Sequence, residues 1–240
     1  MWRQILELFE QILNGFKKKD KTIEDINVED ENELEVTTSF EEEIEKIEET
    51  VETVLTDIAK TNGIEIDLLR SFIQVESSGR NYGKDGRLII RFERHIFRKY
   101  IRSQEKVSEF EKSKIGLRHR NQNDEYMSLE AAKPFNYDGA YKSISMGSAQ
   151  IMGFHSSRLG FQDPKSMFMS FSNSEVNVMK AFGKFISLTP SLVKALRIKD
   201  YHKIAYYYNG SGYKKYKDSK GRTYADKIKL AYENLNKRSV

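Results

Sequence analysis

Between Ile66 and Ser77 the residues Leu69, Phe72 and Ile73 recur at helical spacing, and the next place on that stripe, position 76, holds a glutamate. A carboxylate where the pattern asks for an apolar side chain is a local conflict of the kind that concentrates at functional sites. Burial disfavours the charged form and raises the pKa of such a group. A carboxylic acid still protonated near neutral pH can hand its proton to a leaving oxygen. The helix would end at once in Ser77-Ser78-Gly79, which sets Glu76 at the mouth of a cleft. The same position also admits a salt-bridged or capping glutamate.

Two further segments carry polar groups suited to binding. In Ser145–Gly153 (SMGSAQIMG), Gly147 and Gly153 allow close backbone approach, Ser148 supplies a hydroxyl, and Gln150, ahead of Ile151, offers both a donor and an acceptor. In Ala205–Tyr213 (AYYYNGSGY), Tyr208 and Asn209 place an aromatic ring and an amide at a helix end. Seven of the 13 tyrosines fall within residues 201–224, and a helix cannot bury Tyr206, Tyr207 and Tyr208 on one face, so some must face solvent or a ligand. The four histidines form no HExxH or close ligand pair, so no metal is expected. The chain has no cysteine, which excludes disulfides, thiol nucleophiles and Cys-ligated metals. No phosphate-binding glycine loop is present, and no cofactor is expected.

These residues need elements to position them. The helix before Glu76 is preceded by one that is expected to start near Ser39, with Glu42 in a capping box, and to break at Asn62-Gly63. A short strand is expected over Leu88–Phe92, then a long polar region over about 103–145. Further helices are signalled by Ser172 with Glu175, by Thr189-Pro190, by Asp200, and by Thr223 with Asp226. The fold class is mainly α, with one small β-sheet. Domain organisation reads as an amphipathic helix over 1–19, an acidic flexible linker over 20–40 and a catalytic domain over 41–240. Residues 24–57 hold 15 acids and one base, leaving 39 of the 40 Lys and Arg to the rest of the chain. Such a basic body favours a polyanionic partner, and charge alone does not choose among nucleic acid, cell wall and membrane surface. No apolar run approaches the roughly 18 residues of a membrane span.

Four ordered motifs then make the choice. Glu76-Ser77, the Gly147–Ile151 segment and Tyr208-Asn209-Gly210 resemble the lysozyme-like superfamily, including goose-type lysozymes and soluble lytic transglycosylases. The added Phe92-Glu93-Arg94-His95 segment resembles more closely the N-acetylmuramidase family of phage endolysins and bacterial wall enzymes. The resemblance covers about residues 55–235.

It implies a lysozyme-like α+β fold and hydrolysis of the β-1,4 bond between N-acetylmuramic acid and N-acetylglucosamine, with Glu76 as general acid. Glu93 is the first candidate for a second carboxylate, its alternative being an ion pair with Arg91, Arg94 or Arg98; Asp85 and Asp138 are weaker, since both precede glycine. Without a second carboxylate, the muramyl 6-hydroxyl could attack and leave a 1,6-anhydro product. Ser77, Ser148, Gln150, Ile151, Tyr208, Asn209 and Tyr213 are the expected substrate-binding residues. The expected partner is the peptidoglycan glycan strand and not nucleic acid, with residues 1–19 available to a membrane surface, a virion or another protein. A non-catalytic basic wall-binding module is the contrasting reading. The start of the sequence lacks the pattern of a secretory signal, so action on the wall is expected to follow phage lysis, a virion or a secretion machine.

Overall fold

The computed structural model describes residues 49–237, and the expectations for 1–19 and 20–40 lie outside them. Helix α1 is Val51–Asn62. Thr50 and Thr53 close a reciprocal capping box at its start, and Gly63, at φ +60°, ends it. The expected start near Ser39 lies outside the described residues, but the helix expected to run on from it is broken, since residues 49 and 50 are not helical. The Thr50 box was missed because the acidic run ahead of it offers an equally good helix pattern.

Helix α2, Ile66–Ser77, has the expected bounds and buries Leu68, Leu69, Ser71, Phe72 and Ile73. Strand β1 is Ile90–Phe92, followed by the short helix α3, Arg94–Phe97. The polar region contains three helices that its sequence hides: α4 (Gln104–Lys112), α5 (Gln122–Ala132) and α6 (Tyr137–Lys142). Ser103, Asn121 and Asn136 cap them through their side chains. Strands β2 (Ile144–Met146) and β3 (Ile151–Met152) complete an antiparallel sheet in the order β1-β2-β3. Helices α7 (Pro164–Asn173), α8 (Glu175–Ser187), α9 (Pro190–Arg197), α10 (Tyr201–Asn209) and α11 (Tyr224–Asn236) follow.

Two cap expectations need correction. Ser172 lies inside α7 and its hydroxyl donates to the Phe168 carbonyl at 2.9 Å, so the break falls at Ser174. Thr189 does precede α9, yet its hydroxyl donates back to the Phe185 carbonyl at 2.8 Å rather than capping forward. Thr223 and Asp226 form the capping box expected for α11.

Leu68, Leu69, Phe72, Val178, Met179, Phe182, Ile204 and Ile228 are among the side chains that join α2, α8, α10 and α11 in one core. Each such fully buried side chain contributes roughly 1.5–3 kcal/mol. The free edge of β1 is covered by α5. Gln122 exchanges hydrogen bonds with the backbone of Ile90 (2.9 and 3.1 Å), Glu125 accepts from Phe92 N at 2.8 Å, and Tyr126 donates to the Leu88 carbonyl at 2.9 Å. An uncovered edge would leave those groups unpaired. Just after β3 the chain passes close against α6 at Gly153, where a Cβ would stand 1.9 Å from the Tyr141 carbonyl oxygen. No helix among the described residues is long and apolar enough to cross a membrane.

Candidate active site

Glu76 occupies the last turn of α2. Ser78 follows in the left-handed region at φ +57°, and the amides of Ser78 and Gly79 close the turn on the carbonyls of Gln74 and Ile73 (3.1 and 3.2 Å). The helix therefore stops one residue after Glu76 and leaves its carboxyl beside α11, whose first residue, Tyr224, donates its hydroxyl to Glu76 Oε1. Part of the Glu76 side chain remains accessible, but protein surrounds the carboxyl. Burial, the largest cause, pushes its pKa up to about 7, against the opposing pull of the Tyr224 hydroxyl and the Lys227 ammonium. Lys227 also stands 5.7 Å from the centre of the Tyr224 ring.

Tyr208 is the second tyrosine on which the Glu76 charge acts. Phe72, Phe182 and Phe185 hold its ring edge-on at centroid distances of 5.1, 6.1 and 5.5 Å. Its hydroxyl donates to the Ala149 carbonyl at 2.5 Å. Burial and the neighbouring Glu76 charge keep both the Tyr208 and Tyr224 hydroxyls protonated, well above the usual tyrosine range. Tyr208 is half-buried and packed on the core through these rings, whereas Tyr206 and Tyr207 are exposed.

Through Ala149 the structure brings the Gly147–Gln150 turn to Glu76. Gln150 bridges this turn to β2: its carboxamide donates to the Gly147 carbonyl at 2.8 Å and accepts from the Ser145 hydroxyl at 2.7 Å. Ser148 and Ile151 are buried, so they shape the turn rather than its surface. The Ser148 hydroxyl faces Glu175 at the start of α8 without closing a hydrogen bond, and burial raises the Glu175 carboxyl above its usual range. Ser77 is half-buried, with its hydroxyl accepting from Arg80 N at 3.1 Å, and Asn209 is exposed at the end of α10. Tyr213, expected at the binding surface, is buried instead, with its hydroxyl 3.2 Å from His202 Nδ1.

Glu93 stands at the other end of β1 from the Gly147 turn. Gly147 bonds Ile89 at one end of β1, whereas Glu93 N donates to Ser143 O at the other. The four-residue offset is roughly 13 Å at the rise of a strand. The Glu93 carboxylate pairs with Arg91 Nε at 3.5 Å and His95 Nδ1 at 3.4 Å, and it lines a cavity of about 420 Å³ with Arg94, Arg98, Glu111 and His119. Alternation along β1 nevertheless sends Arg91 to the side opposite the buried Ile90 and Phe92. Arg91 is the register partner of Ser145, which bonds Gln150, so one sheet face leads from Gln150 towards Glu93.

Sequence reasoning missed Tyr224, Lys227 and Asn81, which accepts from Ser148 N at 3.0 Å. For Tyr224 a signal existed: a tyrosine directly after the N-cap of the last helix. Because its hydroxyl stabilises the charged form of Glu76, Tyr224→Phe is expected to move the Glu76 titration to higher pH. Carboxyl-carbon NMR of the folded variant checks this, and an unmoved or lowered midpoint would refute the contact. No three His, Asp or Glu side chains among the described residues are grouped as a metal site requires.

Residues 65–236 match the family model described as "Muramidase: N-acetylmuramidase". A solved structure, that of the Burkholderia AP3 phage endolysin, is similar at a TM-score of 0.62 and 26% identity, over 78% of this chain and 71% of the endolysin. No curated protein matches the chain.

Proposed function

Since this chain belongs to the N-acetylmuramidase family, glycoside hydrolases that act on peptidoglycan, we propose that it cleaves the β-1,4 bond between N-acetylmuramic acid and N-acetylglucosamine, with Glu76 as general acid. The observation that carries this is the enclosed Glu76 carboxyl, bonded by Tyr224 and held near pKa 7. At neutral pH a large share of the molecules then carry the proton that the bridging oxygen takes as the bond breaks. Tyr224 holds the carboxyl in place, and Tyr208 anchors the turn that presents Gln150.

Glu93 is proposed as the second carboxylate. On the sheet face that begins at Gln150, it would hold the attacking water on the far side of the sugar. A separation of roughly 6.5–9.5 Å between the two carboxyls in the substrate complex suits such a water and gives inversion. Ser77, Gln150 and Asn209 are the proposed contacts to the N-acetyl groups and hydroxyls. The site of action is the bacterial cell wall, and the route there through phage lysis, a virion or a secretion machine is part of the same proposal.

The product tells the two chemistries apart. Mass spectrometry of digested peptidoglycan is expected to give fragments with reducing-end muramic acid. Fragments lighter by one water would carry the 1,6-anhydro ring and replace hydrolysis with transglycosylation.

A further inference from the structure

The turn that carries Gln150 is held in an unfavourable backbone conformation. Gly147 stands at φ +71° and Gln150 at φ +48°. The second value is sparsely populated for any residue with a side chain and persists only where the surroundings enforce it. Gln150 secures part of the turn itself, since its backbone and side-chain amides both donate to the Gly147 carbonyl, at 3.1 and 2.8 Å. What holds the other side is Asn81, five residues after Glu76 on the segment leaving α2.

Asn81 is buried at 3% exposure and grips the turn twice. Its side-chain oxygen accepts from Ser148 N at 3.0 Å. Its backbone carbonyl accepts from Ile89 N at 2.8 Å, and the Ile89 carbonyl accepts in turn from Gly147 N at 2.8 Å. The fit leaves no spare room, because a Cβ on Gly147 would stand 2.6 Å from Asn81 Oδ1 and 3.0 Å from Val178. The next carbonyl along, Ala149 O, is the one that anchors the Tyr208 hydroxyl beside Glu76. The chain of contacts therefore runs from the end of the Glu76 helix through Asn81 to the turn, and from the turn through Tyr208 back to Glu76.

We propose that Asn81 is a positioning residue for the reaction: through the Ser148 amide it sets the turn that aims Gln150 and anchors Tyr208, without touching substrate. This rests on the reading of Glu76 as the acid. The essential atom is the Asn81 oxygen, since Nδ2 has no hydrogen-bond partner among the described residues.

The test compares Asn81→Ala, Asn81→Asp and Glu76→Gln on soluble peptidoglycan fragments, with hydrogen exchange of the 145–152 segment measured on each folded protein. Displacement of reacting groups by about 1 Å costs on the order of 100-fold, so Asn81→Ala is expected to lower kcat by about 10- to 100-fold with KM within about threefold. The Ser148 amide should exchange faster, and Asn81→Asp, which keeps an acceptor, should restore most of kcat. If alanine prevents folding, Asn81→Ser, too short to reach the amide, takes its place with the same expectations. Unchanged kcat with a protected Ser148 amide overturns the proposal, as does an aspartate variant as slow as alanine. An active Glu76→Gln protein is a separate result: it removes the acid reading, whereas the exchange of Ser148 reports on Asn81 without any turnover.

Discussion

Glu76→Gln is expected to abolish wall lysis and, at the same time, to make the protein more stable above neutral pH. Glutamine keeps the shape and can still accept from Tyr224, but it has no proton to give. General acid catalysis is worth about 100- to 10,000-fold, and a loss in that range or beyond is expected in turbidity assays on purified walls. The stability change follows from the raised pKa. The folded-state value of about 7 lies above the ordinary 4.5, so the folded chain holds a proton that the unfolded chain releases between those values. Protonated Glu76 is accommodated without penalty below about pH 4.5; as pH rises through 7, the folded state must carry a buried charge and loses up to roughly 3 kcal/mol. The glutamine variant escapes that loss, so thermal melting should show it more stable at pH 8 and equal to the parent near pH 4. The parent's activity should fall on the alkaline side with a midpoint near 7, because the acid form disappears there. An active, folded Glu76→Gln protein, or an alkaline limb near 4.5, would sink the assignment.

Glu93→Gln is the second large effect. As the proposed base it should cost about 100-fold or more in rate, with little change in folding, because its partners Arg91 and His95 are solvent-accessible and exposed ion pairs contribute about 0–1 kcal/mol. Steady-state rates on soluble glycan fragments, alongside a melting curve, separate the two contributions. If most of the rate survives, Glu93 is only the ion-pair partner of Arg91 and His95, and a 1,6-anhydro product becomes the expected outcome of the same digest.

The two carboxylates were legible in the chain for different reasons. Glu76 interrupts a helical stripe, and a broken stripe is a local signal that needs no tertiary information. Glu93 entered through its neighbours, in a motif whose resemblance to a family carries the inference. Helix ends behaved like Glu76: Asn62-Gly63, the end of α2 at Ser77, Asp200 and the Thr223–Asp226 box are set by short-range backbone bonding, and the folded chain keeps them. Helices α4, α5 and α6 were hidden because their stripes are short and α5 buries Asp124 and Glu125, residues that normally read as surface. Those carboxylates are tolerated only once Arg120, His119 and the free edge of β1 arrive to pair with them.

What the linear chain determined by itself was therefore the family, through ordered motifs, and those helix boundaries that short-range capping sets, the ends of α2 and the starts of α10 and α11 among them. The tertiary structure alone decided that Tyr224 meets Glu76 across 148 positions, that the Tyr208 ring packs on Phe72 and its hydroxyl reaches the Ala149 carbonyl, and that Asn81 bonds the Ser148 amide. These are hydrogen bonds and ring contacts between distant segments, and their strength comes from burial that exists only after the core around Phe72 and Phe182 has closed.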